Sequence, residues 1–92
     1  MNVRWTRTAL RDLESTHAYI AADNPSAAGA FVDRLMSGID ALGQHPNMGR
    51  KGRVPGTREL IINPFIVAYR SRRTDVEVLA ILHAARRWPD GF

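Results

Sequence analysis

Hydrophobic positions recur every three to four residues through the first half of this chain and every two through most of the second. Asn2 to Trp5 contains Val and Trp and reads as a brief opening strand. Thr6, a residue type that caps helices, follows it. Leu10, Leu13, His17 and Ile20 then step by three and four, with Arg11, Asp12 and Glu14 largely on the other side. That spacing predicts a helix over about 7–22 with His17 on its buried stripe. Asn24-Pro25 is a start signal, because Asn24 can cap while proline at the first helical position gives up no needed N–H. Ala28, Phe31 (with Val32), Leu35, Ile39 and Leu42 form one apolar stripe, predicting a second helix over about 25–44. His45-Pro46 ends it, since the residue before proline is pushed out of the α region. So short a break between two helices predicts an antiparallel hairpin.

Asn47 to Gly56 holds three glycines and a proline, with Arg50, Lys51 and Arg53 between them. Such punctuation predicts a basic loop without regular structure. The period-2 region follows as three strands, Arg58 to Ile62, Phe65 to Ser71 and Val76 to His83, divided by the turns Asn63-Pro64 and Arg72 to Asp75. Alternation in the last strand puts Val76, Val78, Ala80 and Leu82 on one face and Leu79 and Ile81 on the other. It is apolar on both faces, as an interior strand should be. The expected order is β-α-α-β-β-β, an α+β fold over residues 1–92 as a single domain. A helical hairpin packs on one face of a small, mostly antiparallel sheet, leaving the second face open or covered by a partner.

Composition narrows the chemistry. The absence of cysteine excludes a disulfide framework, a thiolate metal site and a cysteine nucleophile. The N-terminus lacks the apolar core of a signal peptide, and no apolar run approaches the ~20 residues of a membrane span, so a cytoplasmic protein without membrane contacts is expected. Of the 13 basic residues, 12 are arginine. Residues 1–48 net −1 and residues 49–92 net +5. Arginine offers a planar, permanently charged fork suited to oxyanions, so the basic half is expected to face phosphate or an acidic partner.

Candidate chemistry is sparse. No two histidines stand at ligand spacing, so neither a metal nor another cofactor is expected. His45 sits where it can interact with a helix C-terminus. Glu59 is the only carboxylate between Asp40 and Asp75. It is either half of a cross-strand ion pair, with Arg70 if the register allows, or a general base. His83, close before Arg86 and Arg87, is the other candidate base. Metal-free RNA cleavage needs a base, cations for the phosphorane and an acid for the leaving oxygen, and Glu59, His83, Arg86 and Arg87 supply those types. Arg50, Lys51, Arg53, Arg58, Arg70, Arg86, Arg87 and Trp88 are the candidate contacts to a target or nucleic acid. No P-loop and no nucleophile elbow occur.

The chain resembles the RelE/ParE superfamily of toxins from type II toxin–antitoxin systems. The resemblance runs through Trp5-Thr6-x-x-Ala9-x-x-Asp12-Leu13 and Tyr19-Ile20, then Asn24-Pro25-x-Ala27-Ala28 and His45-Pro46-x-Met48-Gly49-Arg50. It continues through Gly56-Thr57-Arg58-Glu59-Leu60 and Ile66-Val67-Ala68-Tyr69-Arg70 to His83-Ala84-Ala85-Arg86-Arg87-Trp88. It implies a growth-arresting toxin neutralised by a cognate antitoxin, reaching operator DNA only through that antitoxin. RelE-like members cut mRNA on the ribosome; ParE-like members poison DNA gyrase. RelE-like nucleases typically carry an arginine early in the penultimate strand, near the position held here by Ile66, and often a tyrosine in the C-terminal tail, which this chain lacks. The resemblance therefore implies a ParE-like gyrase inhibitor ahead of a RelE-like endoribonuclease.

Overall fold

The computed structural model describes residues 1–84. Its elements run β1 (Asn2–Trp5), α1 (Arg7–Asp23), α2 (Pro25–Leu42), β2 (Arg50–Lys51), β3 (Arg58–Ile62), β4 (Phe65–Ser71) and β5 (Asp75–His83). The sheet order is β1-β5-β4-β3-β2, with β1 parallel to β5 and the other pairings antiparallel. Both start signals act as expected. The Thr6 hydroxyl accepts from Ala9 N–H, and the Asn24 side chain accepts from Ala27 N–H with Pro25 next in line.

Both helices pack on one face of the sheet. Ala9 of α1 and Phe31, Leu35 and Ile39 of α2 meet Ile62, Phe65, Val67, Val78 and Ile81 in one buried cluster. Each full burial of such a side chain contributes about 1.5–3 kcal/mol, so this layer dominates stability. The α2 stripe is as predicted, but the α1 stripe is rotated. Ala9 and Thr16 are buried and Leu13 and Ile20 half-buried, whereas Leu10 is 48% exposed and His17 lies at the surface. Residues 9, 13, 16 and 20 also keep helical spacing. The small Ala9 permits the close helix–sheet approach that a leucine would prevent. The second helix stops at Leu42, two residues short of the expected end. Gly43 N–H bonds to Asp40 O at 3.1 Å, tightening the last turn.

Two strand expectations are corrected. Arg50–Lys51 is not irregular: it forms β2, a two-residue ladder in which Arg50 opposes Glu59 and Lys51 opposes Arg58. Its glycine neighbours hid a pairing that the partner strand supplies. In β5, Ala80 opposes Ala68 while Val78 opposes Tyr69, so β4 skips Leu79. This bulge inverts the alternation. Val76, Val78 and Ile81 face the helices, and Ala80 and Leu82 face the other way. Beyond Val78, where β1 ends, α1 takes over the edge of β5. Thr6 Oγ1 donates to Val78 O and Leu79 O at 3.0 and 3.2 Å, and Asp12 Oδ2 accepts from Ile81 N–H at 2.9 Å.

The second face is not a bare apolar surface. Ile66, Ala68, Ala80 and Leu82 are all buried, and Val54 of the β2–β3 loop packs on this layer.

Candidate functional site

The basic loop between α2 and β3 is held from both faces of the sheet. On the second face, Glu59 is 2% exposed and fully engaged. Its Oε1 accepts from Arg50 Nε and Nη2 at 3.2 and 3.0 Å, and its Oε2 accepts from Arg53 N–H at 3.1 Å. On the helix-side face, the Tyr69 hydroxyl accepts from Gly49 N–H and donates to Pro46 O, both at 2.8 Å. Burial raises the Tyr69 pKa above its ordinary value of 10.0, outweighing the opposing effects of the Gly49 N–H and Arg58, so the phenol keeps the proton it donates. Arg58, opposite Tyr69 in the ladder, donates to Gly49 O at 2.7 Å. A Cβ at Gly49 would lie 2.7 Å from the Tyr69 hydroxyl and 2.8 Å from Glu59 O, so only glycine fits there. Gly52 N–H bonds to Thr57 O at 2.8 Å and closes the loop, whose tip presents Arg53. Arg50, Lys51 and Arg53 are thereby displayed on a braced scaffold, with their side chains at the surface.

A second charged cluster lies at the N-terminal end of β5. Glu77, also buried, directly opposes Arg70 of β4 and Arg4 of β1. Its Oε1 accepts from Arg70 Nε at 2.7 Å and its Oε2 from Arg4 Nη2 at 2.8 Å, while Arg72 Nε stands 3.7 Å from Oε1. Arg4 Nε also pairs with Asp75 at 3.3 Å. The Arg70 hydrogen bond is the main reason the Glu77 carboxyl titrates below its ordinary value of 4.5; burial opposes it, and the fields of Arg70, Arg4 and Arg72 assist.

The expected Glu59–Arg70 pair does not form, because Glu59 opposes Ala68 and Arg70 opposes Glu77. Nor do Glu59 and His83 meet. His83 opposes Phe65, whose neighbour across the next ladder is Ile62. These three share the helix-side face, and the His83 ring stands edge-on to Phe65 at 5.4 Å. Glu59, three residues from Ile62, is on the other face. His83 borders a groove of about 390 Å³ with Asp12, Ser15, Thr16, Tyr19, Phe65 and Ile81. Arg86, Arg87 and Trp88 lie outside the described residues. Among the described residues, no three His, Asp or Glu side chains are placed to hold a metal ion, and no helix is long and apolar enough to cross a membrane.

Sequence reasoning passed over Tyr69, Glu77 and Asp12. For Glu77 a signal was present: a carboxylate inside the most apolar run of the chain requires a cationic partner. Tyr69 and Asp12 gave no local signal, since their partners are distant backbone groups.

Residues 3–88 match the family model described as the ParE toxin of the type II toxin–antitoxin system, parDE. The candidate toxin Y4kP of Sinorhizobium fredii is 46% identical over 89 residues, covering 95% of this chain and 92% of that protein. Toxin RelE2 of Caulobacter vibrioides is 32% identical over 84 residues, covering 91% and 96% respectively. Among solved structures, a chain of the chromosomal ParDE system of P. aeruginosa superposes with a TM-score of 0.78 at 27% identity, covering 90% of this chain and 95% of its own. A chain of the RelBE2 toxin–antitoxin complex of Mycobacterium tuberculosis gives a TM-score of 0.64 at 25% identity, covering 89% and 95%.

Proposed function

This chain belongs to the ParE toxin family of type II toxin–antitoxin systems, and from that premise we propose that it arrests growth as a ParE-like inhibitor of DNA gyrase, without catalysing a reaction of its own. The observation that carries this reading is the separation of the two candidate bases. A general base must reach the proton it takes. Glu59 has both oxygens committed to Arg50 and Arg53, and His83 lies on the opposite face of the sheet. The place where a RelE-like nuclease would carry an arginine is held by Ile66, which is buried. What remains is a rigid display of cations, Arg50, Lys51 and Arg53, fit to grip a protein–nucleic acid assembly.

Neutralisation falls to a cognate antitoxin, in keeping with the ParDE and RelBE2 complexes among the structural relatives. A partner segment that folds on docking suits such a module. Operator DNA is reached only through that antitoxin.

The deciding experiment combines purified toxin in a gyrase supercoiling assay with mapping of mRNA ends in induced cells. Loss of supercoiling with intact transcripts is the expected result. Undiminished supercoiling at excess toxin overturns the proposal. The likeness to RelE2 favours a second reading, a ribosome-dependent endoribonuclease, and transcripts cut at codon boundaries would establish it.

A further inference from the structure

Around Glu77 and Asp75 the arginines outnumber the carboxylates, with Arg4, Arg70 and Arg72 against the two. Arg4 spends its Nε on Asp75 and an Nη on Glu77. Arg70 and Arg72 behave differently. Both turn Nε toward the same atom, Glu77 Oε1, at 2.7 and 3.7 Å. Sharing that oxygen brings the two guanidinium groups close together, and approaching through Nε leaves the Nη1/Nη2 end of each fork without a hydrogen-bond partner among the described residues. Both side chains reach solvent, being 42% and 50% exposed. Arg4, Arg70 and Arg72 against Glu77 and Asp75 leave a local excess of positive charge, held together by a buried anchor.

The geometry points to an oxyanion site at the Arg70–Arg72 pair, and to a phosphate group as its ligand. A planar carboxylate can be matched bidentately by a single fork, through two oxygens in one plane. Two adjacent forks offer four N–H donors that need not be coplanar, which suits the tetrahedral oxygens of phosphate. A bound phosphate also relieves the repulsion between guanidinium groups that Glu77 only partly offsets. Two sources present this chemistry: the phosphodiester backbone of a nucleic acid, and free inorganic phosphate. The site is separate from the Glu59-braced loop, and its test reads binding rather than supercoiling, so it stands or falls independently of the gyrase proposal.

The test uses the full chain and two probes. Binding of a short duplex DNA is followed by fluorescence anisotropy between roughly 50 and 200 mM salt, where each phosphate contact contributes about 0.9 to the slope of log K against log salt. Arg70→Gln with Arg72→Gln is expected to flatten that slope by about one, the contribution of the single phosphate the pair holds, and Arg72→Gln alone by a smaller amount, whereas Arg7→Gln on α1 leaves it unchanged. The Arg72 single variant protects the test from misfolding, because its 3.7 Å approach to Glu77 is too long for a hydrogen bond. In parallel, the arginine Nε–H resonances are followed during titration with inorganic phosphate at matched ionic strength. Shifts of Arg70 and Arg72 with phosphate but no change of DNA slope assign the site to free phosphate. Slopes that fall equally in the Arg7 variant, with resonances unmoved by phosphate, overturn the site. So does a polyglutamate peptide that binds as tightly as the duplex and loses affinity in the same variants, because the surface is then a receptor for acidic protein.

Discussion

At the scale of single residues, the braced loop depends on side chains that point away from its charged tip. Glu59 meets Arg50 and the Arg53 backbone, and Tyr69 meets Gly49 and Pro46. Truncating Glu59 to Ala strands a partly buried N–H and two arginines, and a hydrogen bond to a charged group contributes about 1.5–3 kcal/mol. Because Arg50 and Arg53 are about half exposed, solvent screens part of this. Glu59→Ala is therefore expected to lower unfolding free energy by about 1–3 kcal/mol in urea melts, and Glu59→Gln by less, since the amide oxygen still accepts from Arg53. Equal losses for the two would contradict the bracing role. Glu77 has a different signature, because its folded pKa lies below the ordinary 4.5. A depressed carboxyl contributes stability that is complete above its unfolded value and lost as pH falls through the folded one. Stability measured from pH 7 downward is expected to fall on that acid limb, and Glu77→Gln to flatten it. An unchanged limb would mean that the arginine cluster does not stabilise the charged carboxylate.

At the scale of elements, the junction of β1, α1 and β5 does two jobs with one turn. Thr6 caps α1 and bonds to the β5 backbone at the bulge, and Asp12, further along the helix, accepts from Ile81 N–H. Losing a cap of this type costs about 0.5–2 kcal/mol. Thr6→Ala is expected at the upper end of that range, with faster hydrogen exchange at both Ala9 and the amides around the bulge. Faster exchange confined to α1 would show that the bonds to β5 contribute nothing. The helix starts, the Asn24-Pro25 cap and the strand runs other than β2 were legible because each follows from local chemistry: a side chain reaching its own backbone, or a hydrophobic period. The α1 stripe was not. Residues 9, 13, 16 and 20 compete with 10, 13, 17 and 20 at the same period, and only the sheet beneath chooses between them.

Across the whole molecule, the sheet acts as a partition. The groove beside His83 and Tyr19 opens on the helix-side face, and both carboxylate–arginine clusters on the other. Distant sites contribute additively to within about 0.3–0.5 kcal/mol, whereas members of one catalytic unit are grossly non-additive. Growth inhibition by Glu59→Gln, His83→Ala and the double variant is therefore expected to combine as the product of the single effects. A double variant no worse than either single one would restore a shared catalytic site.

Legible in the residues alone were the order of every element except β2, the helix N-caps, the α2 stripe, the basic character of the loop and, through its ordered motifs, the toxin family. All of these are written in local periodicity, in cap and turn chemistry, or in the spacing of residue types. Tertiary structure alone decided which cations face which carboxylates. Register fixes those pairs, and a register is a relation between strands that no single strand encodes. Arg50 meets Glu59, and Arg70 meets Glu77, because the ladders place them opposite one another. One bulge at Leu79 reverses which β5 residues face the helices beyond it. A one-residue slip turns every later side chain to the other face of a sheet, so the site lay beyond what alternation along the chain reveals.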